Sequence, residues 1–103
     1  MSFLKIKKSI KIKNKLIISN DHKCFIVAEI SANHSGSLSI LKKTMLAAKK
    51  AGANAVKIQT YEAGTMTLRV RNKHFLINDK SIWKGQQLYD LYKKAETPFK
   101  WHK

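Results

Sequence analysis

A chain of 103 residues with four glycines, one proline and one cysteine has the size of one small domain, with a single core at most. No run of about 18 apolar residues occurs, which excludes a membrane-spanning helix, and the lone Cys24 excludes an internal disulfide. The 21 Lys and Arg against 6 Asp and Glu give a net charge of +15, but the lysines are spread through every segment, and no zinc-ligand spacing or RNA-binding aromatic motif accompanies them. An anionic small molecule, or a coding bias toward Lys and Ile, therefore explains the charge better than nucleic acid does.

The basic N-terminus, MSFLKIKKSIKIKNKL, has neither the continuous apolar stretch nor the small-residue cleavage site of a signal peptide, so a cytoplasmic location is expected. Residues 6–18 alternate in places, as in Ile10, Lys11, Ile12, Lys13, and Asn14 with Lys15 can reverse the chain. This predicts a two-stranded hairpin whose lysines discourage edge pairing. Residues 1–23 are read as this basic hairpin and residues 24–103 as the first part of an α/β domain. Residues 24–30, CFIVAEI, form a nearly unbroken β-branched run, as expected of a strand covered on both faces, with Cys24 a buried, inert thiol at its start.

Next, SLSILKKTMLAAKKAG repeats Leu38, Leu41, Met45 and Ala48 at helical spacing, with Ser37 placed to cap the start and Gly52 just past the end. Residues 55–61, AVKIQTY, read as a second strand. Strand, helix, strand with short joints is the pattern of a βαβ unit in a parallel sheet. A long connection over residues 62–85 holds a short extended piece at residues 74–77, and connections of that length are usually functional. A second helix is expected from about residue 86 to 96, stopped by Thr97 and Pro98.

Side-chain alternation puts Glu29 opposite Ile26, Ala28 and Ile30 in the first strand, and Lys57 and Gln59 opposite Val56 and Ile58 in the second. If Ile26, Ala28, Val56 and Ile58 face the helices, then Glu29, Lys57 and Gln59 gather on the other face, near the strands' carboxyl ends. Ligands bind there in parallel α/β architectures. The plain alternative is a buried ion pair between Glu29 and Lys57, a weak source of stability. The neighbouring amide and the Asn33–His34 loop favour a site for a polar, anionic ligand.

The run AEISANHSGS, a helix, and then AGANAVKIQTY together resemble the sialic acid synthase family, whose members carry AE(I/L)xxNHxG and AVK(L/F/I)QT segments at this separation. The later SIWKGQQLYDLYKKAETPFKWH is similar to the pseudaminic acid synthase branch, and the resemblance covers residues 25–102. It implies a (β/α)8 TIM barrel, of which this chain supplies the hairpin and the first two strand–helix units. The implied reaction condenses phosphoenolpyruvate with a 2,4-diacetamido-2,4,6-trideoxyhexose to give pseudaminic acid and phosphate.

By the same resemblance, Lys57 contacts the phosphoenolpyruvate anion and Gln59 sits near the sugar. Glu29 is the catalytic carboxylate, orienting or deprotonating the attacking water or stabilising a cationic transition state. Asn33 and His34 form the sugar end, although a lone loop histidine is more often structural than a ligand. A divalent metal, Mn or Mg, polarises the sugar aldehyde in such enzymes. Histidines of later strands hold it, so His22, His34, His74 and His102 are not expected to replace them. The full-length family is homodimeric.

The chain departs from the branch at EAGTMTLR, where Gly64 and Arg69 stand in acidic places, and at Trp83, Lys84, Gly85. N-acetylneuraminate or legionaminate synthesis is therefore the alternative within the family. A basic, non-catalytic remnant that binds anions or nucleic acid is the alternative from another class. A barrel of this kind takes about 250 residues, so the 103-residue chain by itself is expected to be inactive.

Overall fold

The computed structural model describes residues 8–12 and 16–103. The expected hairpin is present: β1 (Ser9–Ile12) pairs antiparallel with β2 (Leu16–Ser19), Ser9 opposite Ser19 and Ile12 opposite Leu16. The turn expected at Asn14 and Lys15 lies outside the described residues.

Two further strands, β3 (Val27–Ser31) and β4 (Ala55–Ile58), pair in parallel, and helix α1 (Leu38–Lys50) makes the crossover between them. The helix starts where the sequence says it should, because the Ser37 side chain accepts the Ile40 N–H at 3.3 Å. It ends as expected too: Lys49 and Lys50 complement the last turn, and Gly52 takes φ +97°, a left-handed conformation that costs a side-chain-bearing residue energy.

Strand β3 is shorter than its apolar run. The Ile26 N–H is taken by the Asn54 side chain at 2.9 Å; its carbonyl accepts the Asn54 and Ala55 N–H groups, the latter opening the ladder with β4, whose register begins at Val27 opposite Ala55. Two expectations are corrected here. Cys24 is exposed and lies ahead of the strand, not buried within it. Ile26, expected to be covered by a helix, is 55% exposed. The buried apolar residues of the strand–helix layer are Ile30 and Leu41.

Beyond β4 the long connection is more structured than expected. It contains α2 (Ala63–Met66) and a 3-10 turn at Lys73–Phe75. That turn replaces the first half of the extended piece expected over residues 74–77, because the Asn72 side chain accepts the His74 N–H at 2.9 Å and winds the chain, while Leu76 is extended. Leu76 then bridges to Gln87, which precedes α3 (Leu88–Ala95). Helix α3 stops before Thr97 and Pro98 as expected, and a 3-10 turn follows at Phe99–His102. Helix α2 docks on α3: Glu96 accepts the Ala63 N–H at 3.2 Å, and Tyr61 meets Tyr92 edge-on with ring centroids 5.8 Å apart.

The alternation of strands and helices around a parallel pair is that of an incomplete (β/α)8 barrel. Its core is thin. Among the described residues only Ile30, Leu41 and Ala63 are buried apolar side chains, and they are joined by two buried polar ones, His34 and Thr97. No described helix is long and apolar enough to cross a membrane.

Candidate functional site

Register neighbours at the carboxyl ends of β3 and β4 bring Glu29 and Lys57 together. The Lys57 Nζ lies 2.6 Å from Glu29 Oε2. The pair is not buried, which corrects the simpler expectation: the Lys57 and Glu29 side chains are 71% and 43% exposed. Solvent screens such a pair, so it does little for stability, and both groups remain open to a ligand.

Glu29 has a second set of partners. Its Oε1 accepts the Ser31 backbone N–H at 2.9 Å and the Ser31 hydroxyl at 3.1 Å. Ser31 sits at φ +55°, and the register slips here: Glu29 faces Lys57, yet Ser31 faces Ile58. One extra residue on β3 makes this a β-bulge. The Lys57 hydrogen bond, followed by those from Ser31, holds the Glu29 carboxyl below the usual carboxylate range, against the opposing cost of partial burial. Glu29 is therefore an anion at neutral pH.

Gln59 does not share a register position with Glu29. Strand β4 ends at Ile58, and the bulge carries the next contact to Ser31, whose carbonyl accepts the Gln59 N–H at 3.0 Å. The Gln59 side chain is exposed.

The loop after β3 places its two residues differently. Asn33 is exposed and lies on the rim of two clefts, one beside Glu29 against α1 and one with Tyr61, Trp83, Tyr92 and Lys94. His34 is fully buried. Its Nδ1 accepts the Gly36 N–H at 3.1 Å, and its Nε2 lies 2.8 Å from Thr97 Oγ1. The Thr97 hydroxyl donates its only proton to the Gln59 carbonyl at 2.8 Å. His34 must then donate from Nε2, so the network itself assigns the neutral Nε2–H tautomer. Burial pushes the His34 pKa down, in keeping with a neutral ring. Trp101 packs edge-on against this ring, with centroids 5.0 Å apart.

The larger cleft, lined by Ile17, Cys24, Phe25, Ile26 and Asn54, lies at the amino end of β3. In closed barrels conservation and packing at that end serve stability, whereas catalysis sits at the carboxyl ends. Among the described residues no group of three or more His, Cys, Asp or Glu side chains is placed to hold a metal ion. His34 has both ring nitrogens engaged, while His22 pairs with Ser19 and His102 with Thr60 through one ring nitrogen each.

Sequence reasoning missed Ser31, Thr97 and Trp101. Thr97 was legible only as a helix stop, because its partners are 38 and 63 residues away. Ser31 carries no glycine-like signal of a left-handed backbone.

The parallel strand pair, its crossover helix and the Glu29–Lys57 ion pair at its carboxyl end thus belong to an incomplete α/β barrel. Comparison with known proteins supplies the family. The NeuB family model matches residues 44–103, and the chain belongs to that family. It is 49% identical over 84 residues to the pseudaminic acid synthase of Campylobacter jejuni serotype O:2, a match covering 82% of this chain and 24% of that protein. It is 46% identical over 77 residues to the pseudaminic acid synthase of Helicobacter pylori, covering 75% and 22%. With the N,N'-diacetyllegionaminic acid synthase of Legionella pneumophila it shares 46% identity over 50 residues, covering 48% and 14%. The match thus spans about a quarter of the length of the first two relatives.

Proposed function

We propose that this chain forms the first strand–helix units of a cytoplasmic, phosphoenolpyruvate-dependent nonulosonate synthase, a carbon–carbon bond-forming transferase that makes pseudaminic acid from a 2,4-diacetamido-2,4,6-trideoxyhexose. The observation that carries this reading is the open Glu29–Lys57 pair at the strand ends, in a chain 49% and 46% identical to two pseudaminic acid synthases over 84 and 77 residues.

Lys57 offers the cation for the phosphoenolpyruvate anion. Glu29, ionised and already bonded to donors, is a poor proton abstractor at neutral pH. It is suited to stabilising developing positive charge at C2 and to orienting the attacking water. Asn33 and Gln59 present amides to the acetamido sugar, and His34 shapes that end. The divalent Mn or Mg of the family polarises the sugar aldehyde when bound, through ligands other than the residues described here. The homodimer belongs to the same reading.

The test is phosphate release from phosphoenolpyruvate mixed with the acetamido sugar and Mn or Mg. A chimera in which this chain replaces the matching quarter of the Campylobacter jejuni relative should release phosphate, and Glu29→Gln and Lys57→Met should abolish release. The 103-residue chain alone should release none. A folded chimera without activity would overturn the proposal. Activity with N-acetylmannosamine or the legionaminate precursor in place of the trideoxyhexose would redirect it to the other branch.

A further inference from the structure

Thr97 was given no role in ligand binding by the sequence, yet it is one of two fully buried polar side chains among the described residues, at 1% exposure. Its single hydroxyl joins three parts of the molecule: the loop after β3 through His34, the end of β4 through the Gln59 carbonyl, and the segment after α3 to which it belongs. The first two parts carry Asn33 and Gln59, the amides assigned above to the acetamido sugar.

We propose that Thr97 is a positioning residue for the sugar end of the site, fixing the His34 tautomer and thereby the distance between the Asn33 loop and the Gln59 strand end; this rests on the function proposed above. The hydroxyl both donates to the Gln59 carbonyl and accepts from the His34 imidazole. With its proton on the Gln59 oxygen, it forces the ring proton onto Nε2 and leaves Nδ1 free to accept the Gly36 N–H. The opposite tautomer would aim an Nδ1–H at the Gly36 N–H across 3.1 Å, and the loop would have to open.

The surroundings leave the ring little room to adjust. Trp101 covers one side of it, held by a turn in which the Trp101 N–H donates to the Pro98 carbonyl at 2.9 Å. The hydroxyl cannot itself touch a ligand at this burial, so its influence passes through His34 and Gln59. Reaction geometry is sensitive to displacements of about 1 Å, so a shift of that size between the loop and the strand end would be felt at the site.

The test takes the chimera described above as wild type and compares it with Thr97→Val, which keeps the shape and loses the hydroxyl, and Thr97→Ser, which keeps the hydroxyl. Nitrogen-15 spectra of the imidazole should show a pure Nε2–H ring for His34 in wild type and Thr97→Ser, and a tautomer mixture in Thr97→Val. Binding of the diacetamido trideoxyhexose, followed by the Asn33 and Gln59 side-chain amide signals, should weaken about tenfold in Thr97→Val, as expected for losing one or two hydrogen bonds. Phosphoenolpyruvate binding, followed at Lys57, should stay unchanged, a split that general unfolding would not give.

An unchanged His34 tautomer in Thr97→Val would overturn the proposal, as would an equal loss of both ligands. If Thr97→Val unfolds, Thr97→Ser decides: a pure Nε2–H ring with full sugar binding supports the positioning role, and weakened sugar binding despite that ring overturns it. Wild type that shows the expected tautomer but binds neither ligand would overturn the functional reading and with it the positioning role, while leaving the His34–Thr97 hydrogen bond established.

Discussion

Glu29 Oε1 accepts two hydrogen bonds from Ser31, at 2.9 Å from the backbone and 3.1 Å from the hydroxyl, and these hold Ser31 in a left-handed conformation at φ +55°. The same carboxylate that faces Lys57 therefore also maintains the bulge that ends the strand. Replacing Ser31 by Val removes the hydroxyl and adds a branched Cβ where the backbone resists one, at a cost of about 1–2 kcal/mol. Ser31→Gly should cost less, because glycine accepts this backbone freely. Urea denaturation of the two variants checks the order, and equal midpoints would show that the bulge is unstrained.

The exposed Glu29–Lys57 pair leads to a separation of stability from binding. Lys57→Met should leave the thermal midpoint nearly unchanged, since screened surface pairs contribute little. Phosphoenolpyruvate binding should be lost in calorimetric titration. In the same variant the Glu29 carboxyl should titrate closer to the ordinary glutamate value, because its largest depressing partner is gone. In wild type the pair persists above the ordinary carboxylate range and is lost as pH falls through the depressed value.

His34 gives the chain an acid sensitivity. Its folded pKa is pushed down by burial, so the unfolded chain binds a proton more readily. The stability due to the neutral ring is fully present above the ordinary histidine value of about 6.5 and declines as pH falls from there toward the folded value. Denaturation midpoints measured across that interval should fall on acidification. His34→Phe should flatten this part of the profile while lowering stability at neutral pH by about 1–3 kcal/mol, because the Gly36 N–H and the Thr97 hydroxyl oxygen lose their partner.

Glu96 ties the long connection to α3. It accepts the Ala63 N–H at 3.2 Å and an ion pair from Lys93 at 2.6 Å, the latter being the main reason its carboxyl lies below the usual range. Glu96→Ala should release α2, seen as faster amide exchange at residues 63–67 with α1 unaffected. Exchange rates unchanged at Ala63 would show that packing against α3 alone holds α2 in place.

How far the sequence reached can be argued element by element. Helix α1 was legible from Ser37 to Gly52 because its cap, its periodicity and its stop are all local. The parallel pairing of β3 and β4, and with it the meeting of Glu29 and Lys57, followed from the strand–helix–strand order and side-chain alternation. Local patterns failed where burial depends on distant partners. The apolar run at residues 24–30 read as covered on both faces, yet Cys24, Ile26 and Val27 are exposed, because coverage is a property of neighbouring elements. Gln59 was placed beside Glu29 by strict alternation, and the bulge at Ser31 broke that alternation without any glycine to announce it. The burial of His34 waited on Thr97, 63 residues away.

A core in which Ile30, Leu41 and Ala63 are the buried apolar side chains among the described residues has a thermodynamic signature. Unfolding exposes little additional apolar surface, and exposed apolar surface is what raises the heat capacity of an unfolded chain. The heat-capacity increment and the denaturant slope should both be small for a chain of this length, so heat and urea should each unfold it gradually, over a broad interval.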